Sequence, residues 1–228
     1  MTNHSTASKN PVTSSMSQAA KIDNNKADDS SKTTRQIILD AAEIIFAKKG
    51  YDGATVREIA ELANIPKSNV LYYYSTKLEI YTTVLEDVLQ AWMTAADSFD
   101  HYDEPVKALS HYISAKLLFS FERRSGSVIW ANEVRSGAPV IQKFLKNKLN
   151  DWVKNREKRI EHWIETGAIK PIKPQYLLYM IWATTQHYAD YYHQIKVLND
   201  GKDLQASDIR QVEEMITNII LRGIGAIH

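Results

Sequence analysis

The sequence predicts an all-α protein: a small three-helix unit near the N-terminus, then a larger helical domain. Apolar residues recur at helical spacing through most of the chain after residue 33. Gly and Pro clusters punctuate that pattern at intervals suited to helices, and no alternating β-branched run argues for a sheet. The chain has 228 residues, enough for one domain or two modest ones, and its 44% hydrophobic content is enough for a packed core. Lys and Arg total 28 against 27 for Asp and Glu, so any contact with a polyanion must come from local placement of charge. The absence of cysteine excludes disulfide and thiol chemistry. No stretch approaches the roughly 18 apolar residues of a membrane span, and no apolar core follows a basic start as in a secretory signal. A cytoplasmic protein without a membrane partner is expected.

Residues 1–31 are rich in Ser, Thr, Asn, Lys and Asp, a composition that favours a disordered arm. Lys21, Lys26 and Lys32 are its candidate contacts to a nucleic acid. In the first helix, Ile37, Ile38, Ala41, Ala42, Ile45 and Phe46 share a face, and Gly50 suits a left-handed cap after Lys48 and Lys49. Thr55 and Glu58 have capping-box spacing at the start of the second helix, whose apolar face is Val56, Ile59, Ala60 and Ala63. Asn64 stands where a left-handed turn residue is needed, Ile65 plugs the junction, and Pro66 suits the first turn of a third helix running to about Tyr73. Thr76 and Glu79 repeat the capping-box spacing. Later helices are expected over residues 77–98, 105–121, 126–136, 140–166, 174–199 and 207–223.

Helix, tight turn and short polar-fronted helix form the layout of a helix-turn-helix that enters the DNA major groove. Lys67, Ser68 and Asn69 form the exposed first turn. Asn pairs with an adenine edge, and Lys reaches guanine acceptors. Tyr72 and Tyr73 offer hydroxyls to phosphates, Lys77 a point charge, and Arg57 reaches out from the preceding helix. The plain alternative is a helical hairpin with tyrosines as core fillers.

The segment ILDAAEIIFAKKGYDGATVREIAELANIPKSNVLYYYSTKLEIY resembles the DNA-binding domain of the TetR (tetracycline-repressor) family. LQAWM, NEVRSGAP and PQYLLYMIWATTQHYAD are similar to one subgroup, the RutR-like regulators of pyrimidine utilisation. The resemblance implies a homodimeric regulator, in the usual case a repressor, that binds a palindromic double-stranded DNA operator and is released by a small molecule. It implies a DNA-binding domain over residues 32–79 and a ligand-binding and dimerisation domain over residues 80–228. It places Thr55 as a phosphate-contacting cap and Arg57, Lys67, Ser68, Asn69, Tyr73 and Lys77 at DNA-contacting positions. Leu71 departs from the family's usual tyrosine, so that phosphate contact is lost or shifts to Tyr72. Asn64, Pro66 and Tyr74 depart as well.

Trp182 and Gln186 are four apart and share a helix face. Gln offers a donor and an acceptor together, matching the adjacent N–H and C=O of a uracil-type ring, while an indole stacks on it. The resemblance adds Trp92, Lys116 and Glu133, and with them an effector such as uracil, thymine or a related heterocycle. Asn132 and Arg135 stand where relatives carry apolar residues, which leaves room for a more polar effector. Without the resemblance, these indoles read as core residues. The near-continuous apolar surface of helix 174–199 and the stripe Val212, Met215, Ile216, Ile219 and Ile220 predict a four-helix dimer seam. His187, Asp190 and His193 drift around the helix and suit a polar interface better than a metal site, and no cofactor is expected. The basic run Lys143, Lys146, Lys148, Lys154, Arg156, Lys158 and Arg159 reads as a solvated helix face. Two competing classes are an enzyme using a Lys116–Glu133 acid/base pair and a helical adaptor without a ligand.

Overall fold

The computed structural model describes residues 33–95 and 98–227. The proposed arm, with Lys21, Lys26 and Lys32, lies outside them. Twelve α-helices and one π-helical turn follow one another among the described residues, with no strand. They are α1 (Thr34–Gly53), α2 (Val56–Ala63), α3 (Lys67–Tyr73), α4 (Lys77–Ala95), α5 (Ser98–His101), α6 (Pro105–Glu122), α7 (Arg124–Arg135), α8 (Gln142–Phe144), the π turn Leu145–Leu149, α9 (Asn150–Glu165), α10 (Pro174–Asp190), α11 (Tyr192–Leu198) and α12 (Ala206–Gly223).

Local chemistry sets the boundaries near where the sequence puts them. Thr33 caps α1 by accepting from Gln36 N. Gly50 has φ 70° and breaks the helical path, and a short helical turn carries the chain on to Gly53. Both halves of the Thr55–Glu58 capping box form. Asn64 adopts φ 53°, ψ 44°, and Ile65 N closes the turn onto Ala60 O at 3.0 Å. Pro66 stands one position earlier than expected, at the cap of α3. The long helix expected over 174–199 breaks at Tyr191 into α10 and α11, and the one expected over 140–166 carries the π turn.

Two hydrophobic clusters result. Ile38, Ala42 and Phe46 of α1 pack with Ile59, Val70, Tyr74, Ile80 and Val84, and Ile129 of α7 with Ala138 and Ile141 beyond it closes this first cluster, which crosses the expected domain boundary at residue 80. The second joins α5, α6, α9, α10 and α12 through Phe99, Leu109, Ile113, Trp163, Ile181 and Ile220. The N-terminal head, α1–α3, is therefore seated on α7 and the segment after it. α4 runs between the clusters, with Tyr81 and Leu85 in the first and Met93 against the second.

The basic run is not one solvated face. Arg156 is buried, and its guanidinium donates to Asp100 at 2.6 and 2.8 Å. Arg159 donates to Tyr102 O at 3.2 Å and pairs with Asp103. Both clamp α9 onto α5 and the turn after it, because a buried guanidinium is costly without such partners.

Candidate nucleic-acid interface and effector cavity

Val70 of α3 and Tyr74 at its C-cap turn fully inward, which drives the other side of this short helix outward. Lys67, Ser68 and Asn69 lie exposed in its first turn. Tyr72 is 84% exposed, and the half-buried Tyr73 meets it edge-on with ring centroids 5.3 Å apart. Arg57 is exposed and held by Glu61, its Nε donating at 2.8 Å. A pair so open is easily exchanged for a phosphate.

Two expected contacts are already engaged. The Thr55 hydroxyl donates to Glu58 at 2.9 Å while accepting from Glu58 N, so it serves the cap. Lys77 Nζ donates to Tyr51 O at 2.7 Å and Ala54 O at 3.0 Å and lies 4.4 Å from the centre of the Tyr51 ring. Its charge closes the end of α1 on the start of α4.

A cavity of about 330 Å³ opens among α4, α6, α7, the π turn, α9 and α10. Trp92, Lys116, Trp182 and Gln186 all line it, from three helices and across 94 positions of sequence. Lys116 is only 4% exposed and sits over the Trp92 ring at 3.7 Å. Burial lowers its ammonium pKa to about 7, with the Asp190 charge opposing. Trp182 Nε1 donates to the buried Tyr112 hydroxyl at 2.6 Å, which fixes the indole and leaves its faces for packing. Gln186 Nε2 donates to Ser127 O at 3.2 Å and to Asp190 Oδ1 at 3.0 Å. Desolvation raises the Asp190 pKa, and its bond from Gln186 and the Arg135 charge oppose that rise.

Glu133 does not join this group. It is buried beside the first cluster, where Oε1 accepts from Val140 N at 2.7 Å and Ile141 N at 3.3 Å, and Oε2 accepts from the Tyr81 hydroxyl at 3.1 Å. A Lys116–Glu133 acid/base pair is thus absent, because the carboxylate is spent on tying the end of α7 to α4. The structure adds Trp130, Trp152, Tyr112 and Asp190 to the cavity wall and places Arg135 on it, but not Asn132. Asp190 was legible, standing four residues after Gln186 on one helix face. Trp152 was hidden in the basic run, since no local pattern distinguishes a cavity wall from a core face. His187 stacks on Tyr191 at 4.8 Å. Among the described residues no group of three or more His, Cys, Asp or Glu is placed to hold a metal.

The model for bacterial regulatory proteins of the tetR family matches residues 38–84, and that for the C-terminal region of YcdC-like proteins matches residues 85–227. The chain belongs to the TetR family of DNA-binding transcriptional regulators. It is 32% identical over 209 residues to the HTH-type transcriptional regulator RutR of Escherichia coli (strain K12), covering 92% of this chain and 99% of that protein. It is 25% identical over 142 residues to the uncharacterized HTH-type transcriptional regulator YhgD of Bacillus subtilis (strain 168), covering 62% of this chain and 74% of that protein. The ketosteroid transcriptional regulator KstR2 of Mycobacterium tuberculosis shares the fold, with TM-score 0.70 at 22% identity over 86% of this chain and 96% of that one. AibR, in complex with isovaleryl coenzyme A and operator DNA, shares it with TM-score 0.67 at 14% identity over 82% and 97% of the two chains. The family is one of transcriptional regulators, and with Lys116 and Glu133 apart no observation supports the competing catalytic class.

Proposed function

We propose that this regulator, acting as a repressor, binds a palindromic operator as a homodimer, and that a uracil- or thymine-like heterocycle in the cavity weakens that binding. The convergence of Trp92, Lys116, Trp182 and Gln186 on one cavity carries the reading. A cavity of this size, mostly apolar with a few polar groups, suits a single small ring. Lys67, Ser68 and Asn69 of α3 would meet bases, with Tyr72, Tyr73 and Arg57 on phosphates. Thr55 and Lys77 would support the head rather than touch DNA.

The coupling has a physical route. Arg123, at the α6–α7 junction, donates to Glu43 of α1 at 2.8 and 2.9 Å and to Asp87 of α4 at 2.5 Å. A ligand that displaces α4 or α7 must move α1, and with it the spacing of the two α3 helices. That spacing has to stay near one DNA turn, roughly 34–36 Å. A ligand shifts the balance only by its differential affinity for the two spacings.

Arg135 and Asp190 on the cavity wall favour a second reading, a more polar effector in the same place. Gel shifts on the protein's own promoter, with thermal-shift screening of uracil, thymine and related rings, separate these readings. Gln186→Ala should abolish the ligand response and leave operator affinity within about twofold. Absence of a sequence-specific shift would sink the operator reading, and stabilisation by an unrelated compound alone would sink the pyrimidine one.

A further inference from the structure

The sequence suggests that Gln186 offers a donor and an acceptor together; the structure removes the donor. Both partners of Gln186 Nε2, the Ser127 carbonyl at 3.2 Å and the Asp190 carboxylate at 3.0 Å, are pure acceptors. Turning the amide over would set its oxygen against the Ser127 carbonyl and, while Asp190 is ionised, against its carboxylate, so the nitrogen faces both. An amide nitrogen has two hydrogens, and both are used. Only Oε1 remains for an occupant of the cavity. On the same cavity wall, Lys116 supplies a donor whose side chain has no hydrogen bond among the described residues and rests on the Trp92 ring.

We propose that Asp190, with the Ser127 carbonyl, locks Gln186 as a pure acceptor, so that the cavity selects a planar ring presenting a lactam N–H to Gln186 and its oxo group to Lys116. Asp190 is here a positioning residue, acting through Gln186. The inference rests on the reading of this cavity as the effector site. A ring with no N–H to give, as in 1,3-dimethyluracil, leaves Gln186 Oε1 without a partner. A site built to receive a hydrogen rejects a ligand that lacks it, because a buried polar group is then left unpaired.

Calorimetry on the full chain with uracil, N1-methyluracil, N3-methyluracil and 1,3-dimethyluracil tests this, with circular dichroism to confirm that each variant folds. The wild type should bind uracil about 100-fold or more tighter than 1,3-dimethyluracil, and at least one mono-N-methyl derivative should fail. Asp190→Ala removes one of the two acceptors that hold the amide, so the uracil-to-dimethyluracil ratio should fall roughly tenfold or more. Asp190→Asn, whose amide can accept from Nε2 or turn to donate to Oε1, should fall between the wild type and Asp190→Ala. A folded Asp190→Ala variant with an unchanged ratio overturns the proposal, as does a greater loss in Asp190→Asn than in Asp190→Ala. If uracil fails but another N–H lactam binds and Asp190→Ala erases its preference over its N-methyl derivative, the positioning role stands and the pyrimidine reading falls. If no N–H lactam binds, or only rings without an N–H do, both fall.

Discussion

At the scale of single residues, two lysines show how position decides what a charge does. Lys77 spends its ammonium on the carbonyls of Tyr51 and Ala54. Lys77→Met should therefore cost about 1–3 kcal/mol, read as a lower urea midpoint. Loss of one phosphate contact instead would leave stability alone and reduce the salt slope of DNA binding by roughly one. Lys116 is buried with its pKa lowered to about 7. Its unfolded value is the ordinary one near 10.5. Between these values the unfolded chain holds a proton that the folded chain has released, so this residue makes stability rise with pH from about 7 to about 10.5. Below pH 7 both states are charged and the full desolvation cost remains. Lys116→Met should flatten that rise and raise the midpoint most at pH 6 to 7, as chemical denaturation across about pH 6–10 would show.

At the scale of elements, the joint between the head and the larger domain is built from close approach and buried charge. Gly126 starts α7 against α4 and α1, where an added Cβ would lie 2.7 Å from Val88 Cγ2 and 3.2 Å from Glu43 Oε1. Neither the branched methyl nor a carboxylate held by Arg123 moves away easily. Gly126→Ala should destabilise the protein by about 1–3 kcal/mol and change operator affinity even without ligand, seen by paired denaturation and gel-shift titrations. The Glu43–Arg123 pair and the Tyr81–Glu133–Val140 bonds flank the same joint. Helix existence and most boundaries were legible here, from capping boxes, Gly50 and Asn64. These joints were not, because Glu43 and Arg123 are 80 positions apart and nothing in either segment names the other.

At the scale of the whole molecule, α10 and α12 leave apolar side chains uncovered in the single chain. Tyr176, Tyr179 and Met180 on α10 and Met215 and Ile219 on α12 are each about half exposed or more, while Leu178, Ile181, Ile216 and Ile220 on the same helices are buried. A surface of this kind fits a symmetric seam between two copies. Ile219→Glu should convert a dimer to a monomer in sedimentation velocity while the helical signal stays, and should weaken binding to a two-half-site operator far more than to a single half-site.

The sequence by itself determined the all-α class, the capped helix–turn–helix and its outward polar turn, since these rest on local periodicity and turn chemistry. It also singled out Trp92, Lys116, Trp182 and Gln186, partly through resemblance. Tertiary structure decided which of those groups meet. It sent Glu133 to the neighbouring core, turned Arg156 and Lys77 into clamps, and used up both hydrogens of Gln186. The reason is common to all of them: a buried polar group must find a partner wherever packing puts it, and packing is a property of the folded chain.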